Sequence, residues 1–250
     1  APSIVLKMLG EMKHRATETP KIATSPMTYV AQSVSNLDDE RLHSKVAVGT
    51  NNAEPVVGRD FTWVFEGRFF SPKASTMDKI KHEMGQQPLK ISRHILRETE
   101  GSYTFGLAFS RKIVVARDMM GTKPLYCGEN KSVYAVATER KALWKMGIID
   151  VRSFPPGNLA TVSKSGFAFD PVARIEPVPQ TRISMKAAAE QLQRLLLQST
   201  RRQVADVKAV AVAFSGGLDS SVVAWLTKLA GVEVHLISVG LKGQDEIDLA

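Results

Sequence analysis

The sequence has a single cysteine, Cys127, in 250 residues. No intrachain disulfide can form, and with no secretory signal pattern this points to a reducing compartment, the cytoplasm by default. Nor is there a run approaching the about 18 apolar residues of a membrane span, which excludes a membrane helix. Lys and Arg outnumber Asp and Glu by 33 to 25, a formal charge of +8. The basic residues are scattered, with no dense block and no interleaved aromatics, so nucleic acid is not expected as a partner. The charge reads as a solvated surface that favours small anions. Internal repeats and low-complexity tracts are missing too, which excludes solenoids and disordered linkers as the main architecture. There is no initiator methionine before Ala1, and the polar, helix-starting stretch "DEIDLA" at the other end has no obvious finish. The chain therefore reads as a segment of a longer protein.

With 44% hydrophobic and 23% charged residues the composition is that of a globular protein, long enough for two domains with their own cores. "IVLKMLGEMKHR" suits a short helix. Strand-like runs rich in Val, Phe, Tyr and Thr then follow at 45–50, 61–70, 102–110, 112–118, 132–138 and 157–163. A helical stretch near 76–98, carrying Met77, Ile80, Met84, Ile91 and Ile95, interrupts them. Trp63, Phe65, Phe69 and Phe70 read as sheet core, and the whole as an α+β domain over 1–170. From Phe169 the sequence turns proline-rich, and 171–183 reads as a linker. In 184–250, Ser184 is placed to cap a helix with an apolar face of Met185, Ala188, Leu192, Leu195, Leu196 and Ser199. A buried strand at 208–214, a helix from about Asp219 to Leu229 and a strand at "VEVHLISVG" complete a βαβ unit of a parallel sheet.

Between that strand and helix stands "FSGGLDSS", Phe214 to Ser221. A glycine-rich turn from a buried strand into a helix N-terminus aims free backbone N–H groups and the positive end of the helix dipole at one point, where anions bind. Gly216 and Gly217 let the backbone approach, and the hydroxyls of Ser215, Ser220 and Ser221 can donate to phosphate oxygens. Asp219 can cap the helix or reach a magnesium ion shared with the phosphates. The lysine of the Walker form is missing, so the loop is a different phosphate cradle.

"SGGLDSS" after a hydrophobic strand resembles the pyrophosphate-binding loop (PP-loop) of the ATP pyrophosphatase superfamily. Upstream, "EGSYTFGLAFSRKIVVARDMMGTKPLY", "VYAVATERKAL" and "FPPGNLATVS" occur in that order, and downstream comes "VHLISVGLKGQDEIDLA". Together they resemble the asparagine synthetase family over nearly the whole chain. That resemblance implies an N-terminal nucleophile (Ntn) hydrolase-like αββα sandwich in front, with two antiparallel sheets between helices. Behind it would stand the start of an α/β parallel-sheet ATPase domain. It further implies that Phe214 and Val239 line an adenine site while Ser215, Gly216, Gly217, Leu218, Asp219, Ser220 and Ser221 hold pyrophosphate, with ATP and magnesium as cofactors. The implied reaction adenylates the aspartate β-carboxylate; ammonia, free or from glutamine, then attacks, giving asparagine, AMP and pyrophosphate. A homodimer is a further implication.

Departures from the family pattern concern the front domain. The family's nucleophile is an N-terminal cysteine activated by its own α-amino group; here Ala1 stands first and Cys127 lies in a segment resembling a structural strand. "VFEGRFFS" replaces the family's Asn-Gly-Glu-Ile-Tyr-Asn stretch, so Glu66, ahead of Gly67, stands where an oxyanion-hole amide belongs. A carboxylate there repels a developing oxyanion. Asn51 and Asn52 stand where the family has a carboxylate-binding arginine, and no Ser-Asp pair stands near Gln87 to take the ammonium of glutamine. Trimming of a first strand explains the missing cysteine but not Glu66, whereas decay of the glutamine site explains both. His14 and Arg15 fit either a family motif or an exposed helix end; Arg117, Asp118 and Lys123 are expected to fix a turn through an internal ion pair. The expected function is an AMP-forming amide ligase with a degraded or truncated glutaminase site. The alternatives are a ligase acting on another carboxylate and a non-catalytic ATP-binding regulator.

Overall fold

The computed structural model describes residues 2–15, 21–25, 28–32, 56–58, 61–70, 80, 82–83 and 85–240. Among these, the residues up to Glu176 form one compact unit and those from Pro177 another.

In the first unit every strand pairing is antiparallel. The larger sheet has six strands in the order β11-β10-β6-β5-β4-β3: β3 (Val56–Val57), β4 (Phe61–Phe69), β5 (Gly101–Phe109), β6 (Lys112–Arg117), β10 (Asn158–Ser163) and β11 (Gly166–Pro171). A second sheet orders β8 (Tyr134–Ala137), β7 (Tyr126–Glu129) and β9 (Arg152–Ser153). A hairpin of β1 (Lys21–Ser25) and β2 (Thr28–Gln32) contacts β4 and β5.

The period-two side-chain alternation of strands accounts for the layering. Tyr103, Phe105 and Leu107 of β5, with Trp63, Phe65 and Phe69 of β4, point to one side and pack on Ile91, Ile95 and Leu96 of helix α2 (Pro88–Glu98). On the other side Val115, Ala160 and Val162 meet Cys127, Leu125 and Phe154 between the sheets. Beyond the second sheet, Ala135 and Ala137 pack on Met8 of α1 (Pro2–Glu11) and on Ala142 and Leu143 of α3 (Arg140–Trp144). Three apolar cores thus separate four layers, helix, sheet, sheet, helix. Phe70 is half-buried.

The strands foreseen at 61–70, 102–110, 112–118, 132–138 and 157–163 are all present to within a few residues, and that at 45–50 lies outside the described residues. Strands β1, β2, β3, β7, β9 and β11 went unforeseen. Residues 169–171, read as the start of a proline-rich crossing, are strand: Phe169 pairs with Ala160 and Pro171 with Asn158. A proline is tolerated there because β11 is the sheet's edge.

Tyr103 is buried, and its hydroxyl donates to the carbonyls of Ile95 at 3.0 Å and Thr99 at 3.3 Å, stapling β5 to α2. Burial, helped by the nearby Asp118 carboxylate, pushes the phenol well above its ordinary value of 10.0. A folded-state value above the unfolded one favours the neutral phenol in the fold. Its contribution is complete below about pH 10 and is lost as pH rises from there toward the folded value. In Tyr103→Phe, alkaline denaturation monitored by circular dichroism is expected to lose the steep part of its slope above about pH 10, at a cost of about 1 kcal/mol at neutral pH from the lost hydrogen bonds. An unchanged slope would contradict this.

In the second unit, helix α4 (Met185–Gln203) is capped by Ser184, whose hydroxyl accepts from the Ala187 amide at 3.2 Å. Strands β12 (Ala209–Ala213) and β13 (Glu233–Ile237) pair in parallel, joined by helix α5 (Leu218–Leu229). The expected apolar face of α4 is not buried. Met185 is 85% and Leu192 57% exposed, and Leu195 and Leu196 are exposed as well. The contact of α4 with α5 leaves Leu197 and Thr200 half-buried, on a different side of the helix, and among the described residues nothing covers the Met185–Leu192–Leu196 stripe. No helix among the described residues is long and apolar enough to cross a membrane.

Candidate functional site

Parallel pairing brings the carboxyl ends of β12 and β13 to one edge of their sheet, the edge at which open α/β sheets bind ligands. The ladder extends one step past β12, with the Phe214 amide donating to Ile237 O at 2.9 Å and the Ser238 hydroxyl to Phe214 O at 2.8 Å. Phe214 is half-buried. Val239, two residues past the end of β13, is 95% exposed at the same edge.

From there Ser215, Gly216 and Gly217 turn the chain into α5. Gly216 has φ +77, a left-handed conformation that glycine adopts without strain. Gly217, in extended conformation, is the N-cap, and the first intrahelical bond runs from the Ser221 amide to Gly217 O at 3.1 Å. The amides of Leu218, Asp219 and Ser220 therefore have no intrahelical acceptor and project at the helix's positive end.

One of the two roles open to Asp219 is ruled out here. Asp219 does not cap the helix; it sits exposed in the first turn, and Gly217 takes the cap position. Nor do the loop hydroxyls all point outward: those of Ser220 and Ser221 donate to Gly217 O at 3.0 and 2.8 Å, and Ser215 Oγ lies 3.2 Å from Ser220 Oγ while accepting from the Gly217 amide at 3.4 Å. First-turn hydroxyls commonly bond back to a carbonyl three or four residues earlier. An anion at this loop would thus be met first by main-chain amides, with hydroxyls able to rotate toward it. Leu218 is 78% exposed and contributes its amide rather than its side chain.

Among the described residues no three His, Cys, Asp or Glu side chains cluster to hold a metal ion. The exposed Asp219 carboxylate suits magnesium nonetheless, because Mg²⁺ is usually held by one or two carboxylates together with substrate phosphates.

The front unit carries the other candidate site. Glu66 and Gly67 lie in β4 opposite Thr104 and Tyr103, and both are half-buried. Gly67 has φ +122, and a Cβ on it would lie 2.0 Å from Ser102 O. Asn51 and Asn52 lie outside the described residues.

Cys127 sits in β7, 2% exposed, and burial pushes its thiol upward; Arg152 opposes the rise, and Asp150 and Glu129 add to it. A buried, protonated thiol is a poor nucleophile, so Cys127 is structural. It is expected to stay silent toward a thiol-titrating disulfide reagent in the folded protein and to react fully in denaturant; rapid reaction of the native protein would contradict the placement.

His14, in the 3-10 turn after α1, lies 2.9 Å from Glu139 Oε1, and Lys141 Nζ lies 3.3 Å from its Nδ1 and 3.2 Å from Glu139 Oε2. This surface cluster ties that turn to the start of α3. The Arg117–Lys123 turn is fixed, but not by an ion pair. The Arg117 guanidinium donates to the carbonyls of Gly121, Lys123 and Phe154 at 2.7, 2.8 and 2.7 Å. The Asp118 carboxylate accepts from the amides of Tyr103 and Met120 at 3.2 and 2.9 Å and from the Thr122 hydroxyl at 3.1 Å. Lys123 contributes its carbonyl rather than its charge.

Residues 75–145 match the family model of a glutamine amidotransferase domain, and residues 191–250 that of asparagine synthase. A Methanocaldococcus jannaschii protein named "putative asparagine synthetase 1 (glutamine-hydrolyzing)" is 31% identical over 279 residues, an alignment covering 97% of this chain and 51% of that protein. The chain thus spans about half the length of this curated relative. Among solved structures, the glutamine phosphoribosylpyrophosphate amidotransferase of B. subtilis, complexed with ADP and GMP, is similar with a TM-score of 0.54 and 15% identity, over 94% of this chain and 63% of that one. A structure described as the allosteric regulatory enzyme of purine biosynthesis gives 0.54 and 17%, over 94% and 62%. At such identities the likeness concerns the fold, that of a class II glutamine amidotransferase of the N-terminal nucleophile type. Both matched regions stand in the order that the four sequence motifs imply, and the chain belongs to the asparagine synthase family, with a glutamine amidotransferase domain followed by an asparagine synthase region.

Proposed function

We propose that the protein is an ATP-dependent, AMP-forming amide ligase of the asparagine synthetase type, working in the cytoplasm, whose own glutamine site no longer functions. The observation that carries the first half is the set of unpartnered first-turn amides at the carboxyl edge of β12–β13, beside Phe214 and Val239. On this reading the Leu218, Asp219 and Ser220 amides receive the pyrophosphate of ATP, with the hydroxyls of Ser215, Ser220 and Ser221 turning toward it. Phe214 and Val239 flank the adenine. Asp219 would hold magnesium here, and the metal would screen the charge that grows on the leaving pyrophosphate. The residues of this chain orient ATP so that the aspartate β-carboxylate attacks the α-phosphate in line. The acyl adenylate that forms has a good leaving group, and ammonia then displaces AMP.

Glu66 supports the second half. Hydrolysis of glutamine develops negative charge on the amide oxygen, and a carboxylate in place of a donating amide raises the energy of that state. Cys127, buried with its thiol pushed up, is not placed to act as a nucleophile. Ammonia is therefore the nitrogen donor. The test is AMP formation with ATP, magnesium and aspartate, run in parallel with ammonia and with glutamine.

A further inference from the structure

We propose that the Arg117–Asp118 turn is a clamp that fixes the point at which the chain leaves the first unit, so that the free connector begins at Arg174. At its centre is Gly157. Its amide donates to the carbonyls of Asp118 at 3.0 Å and Arg117 at 3.2 Å, and its carbonyl accepts from the amides of Val172 at 3.1 Å and Ala173 at 3.0 Å. A Cβ on Gly157 would lie 1.9 Å from Ala173 O, and its φ of +65 itself favours glycine. The turn, Gly157 and the outgoing chain therefore form one hydrogen-bonded knot, placed immediately after β11 ends at Pro171.

Both acidic and basic side chains of the turn are spent on holding it. Arg117 binds Phe154 O, three residues ahead of Gly157, and Asp118 is locked to β5 through two main-chain bonds: its carboxylate accepts the Tyr103 amide, and its own amide donates to Tyr103 O at 3.0 Å. The Thr122 hydroxyl donates to Asp118 and lies 2.5 Å from the Ser102 hydroxyl, which must then donate to it. Ser102 is also the residue whose carbonyl closes on Gly67. Past Ala173 the situation reverses: no backbone N–H from Arg174 to Ser184 has a partner among the described residues, and the two compact units divide between Glu176 and Pro177. A connector anchored at Ala173 is shorter than one that frays back to Pro171.

Limited trypsin digestion of the folded protein tests this, because Arg174 and Arg182 are both exposed in the same irregular segment. Cleavage after Arg174 needs Val172 and Ala173 to leave Gly157 and lie extended in the protease, whereas cleavage after Arg182 does not. The Arg182 bond is expected to be cut about tenfold faster, since cleavage follows the population of the locally opened form. In Gly157→Ala the two rates should come within about twofold of each other. Thr122→Val, a milder change that keeps shape and removes the hydroxyl, should speed the Arg174 cut about threefold while leaving the Arg182 cut unchanged. The second variant carries the test if the first does not fold. Equal rates at the two bonds in the unsubstituted protein, or an Arg174 rate that Thr122→Val leaves unmoved, would overturn the clamp.

Discussion

Replacing Asp219 with alanine is expected to lower AMP formation by about a hundredfold or more while leaving the protein folded, the size of loss seen when a group that stabilises developing charge is removed. Asp219 is exposed in the first turn of α5 and makes no hydrogen bond or ion pair among the described residues. Its structural contribution is limited to a carboxylate at the positive end of a helix, about 0.3–1 kcal/mol. That asymmetry separates the two roles, because the fold loses little and the proposed magnesium site loses its carboxylate. AMP release measured by chromatography, with circular dichroism as the folding control, reads both. Asp219→Asn, which keeps the size and removes the charge, should be nearly as damaged. Unchanged ATP turnover in either variant would show that the loop does not hold the metal-bound nucleotide.

The second large effect is on stability. Gly67→Ala is expected to destabilise the first unit by about 3 kcal/mol or more, combining a strained backbone with a main-chain collision. Gly67 has φ +122 inside β4, with Ser102 O 2.0 Å from where a Cβ would sit and Tyr103 Cα at 2.7 Å. Neither obstacle is the end of a flexible side chain: both are main-chain atoms of β5, which is paired with β4 at this point. For a unit of this size such a loss lowers the melting temperature by roughly 6–12 °C. A melting temperature within a degree or two of the unsubstituted protein would mean that β4 does not carry this distortion. The distorted strand is where the proposed oxyanion environment would be, so the prediction also tests whether the local backbone is held while Glu66 occupies the amide's place.

How much of this was legible depended on whether the cause was local. The alternation in β5 and β6 puts Tyr103, Phe105 and Leu107 on one face, and that pattern is visible in the residues alone. So is the Ser184 cap, since capping needs only a hydroxyl and the amide three residues on. The strand–turn–helix geometry of "SGGLDSS" was legible for the same reason: glycine, serine and aspartate between an apolar strand and an amphipathic helix define a main-chain path. The direction of its hydroxyls was not, because rotamers of Ser220 and Ser221 answer to a carbonyl one turn away rather than to their neighbours in sequence. Strand β7, "YCGE", is too short and mixed to show a period, and β11 was hidden by Pro171, which an edge strand tolerates. The periodicity of α4 identifies an apolar stripe correctly but cannot say what covers it. Arg117 and Asp118, adjacent and opposite in charge, suggested a pair; in three dimensions each serves backbone groups brought in from β5, from Phe154 just after β9 and from the following turn.

On the proposed function, ATP activates an acid here and glutamine does not supply the nitrogen. Its most direct test is AMP formation by the protein at its natural length with ATP, magnesium and aspartate, using ammonia in one arm and glutamine in the other. AMP with ammonia and none above background with glutamine is the expected result. AMP formed equally with glutamine, with glutamate released in step, would contradict it by showing a working front site despite Glu66; no AMP with either donor would contradict the assignment of aspartate as the activated acid.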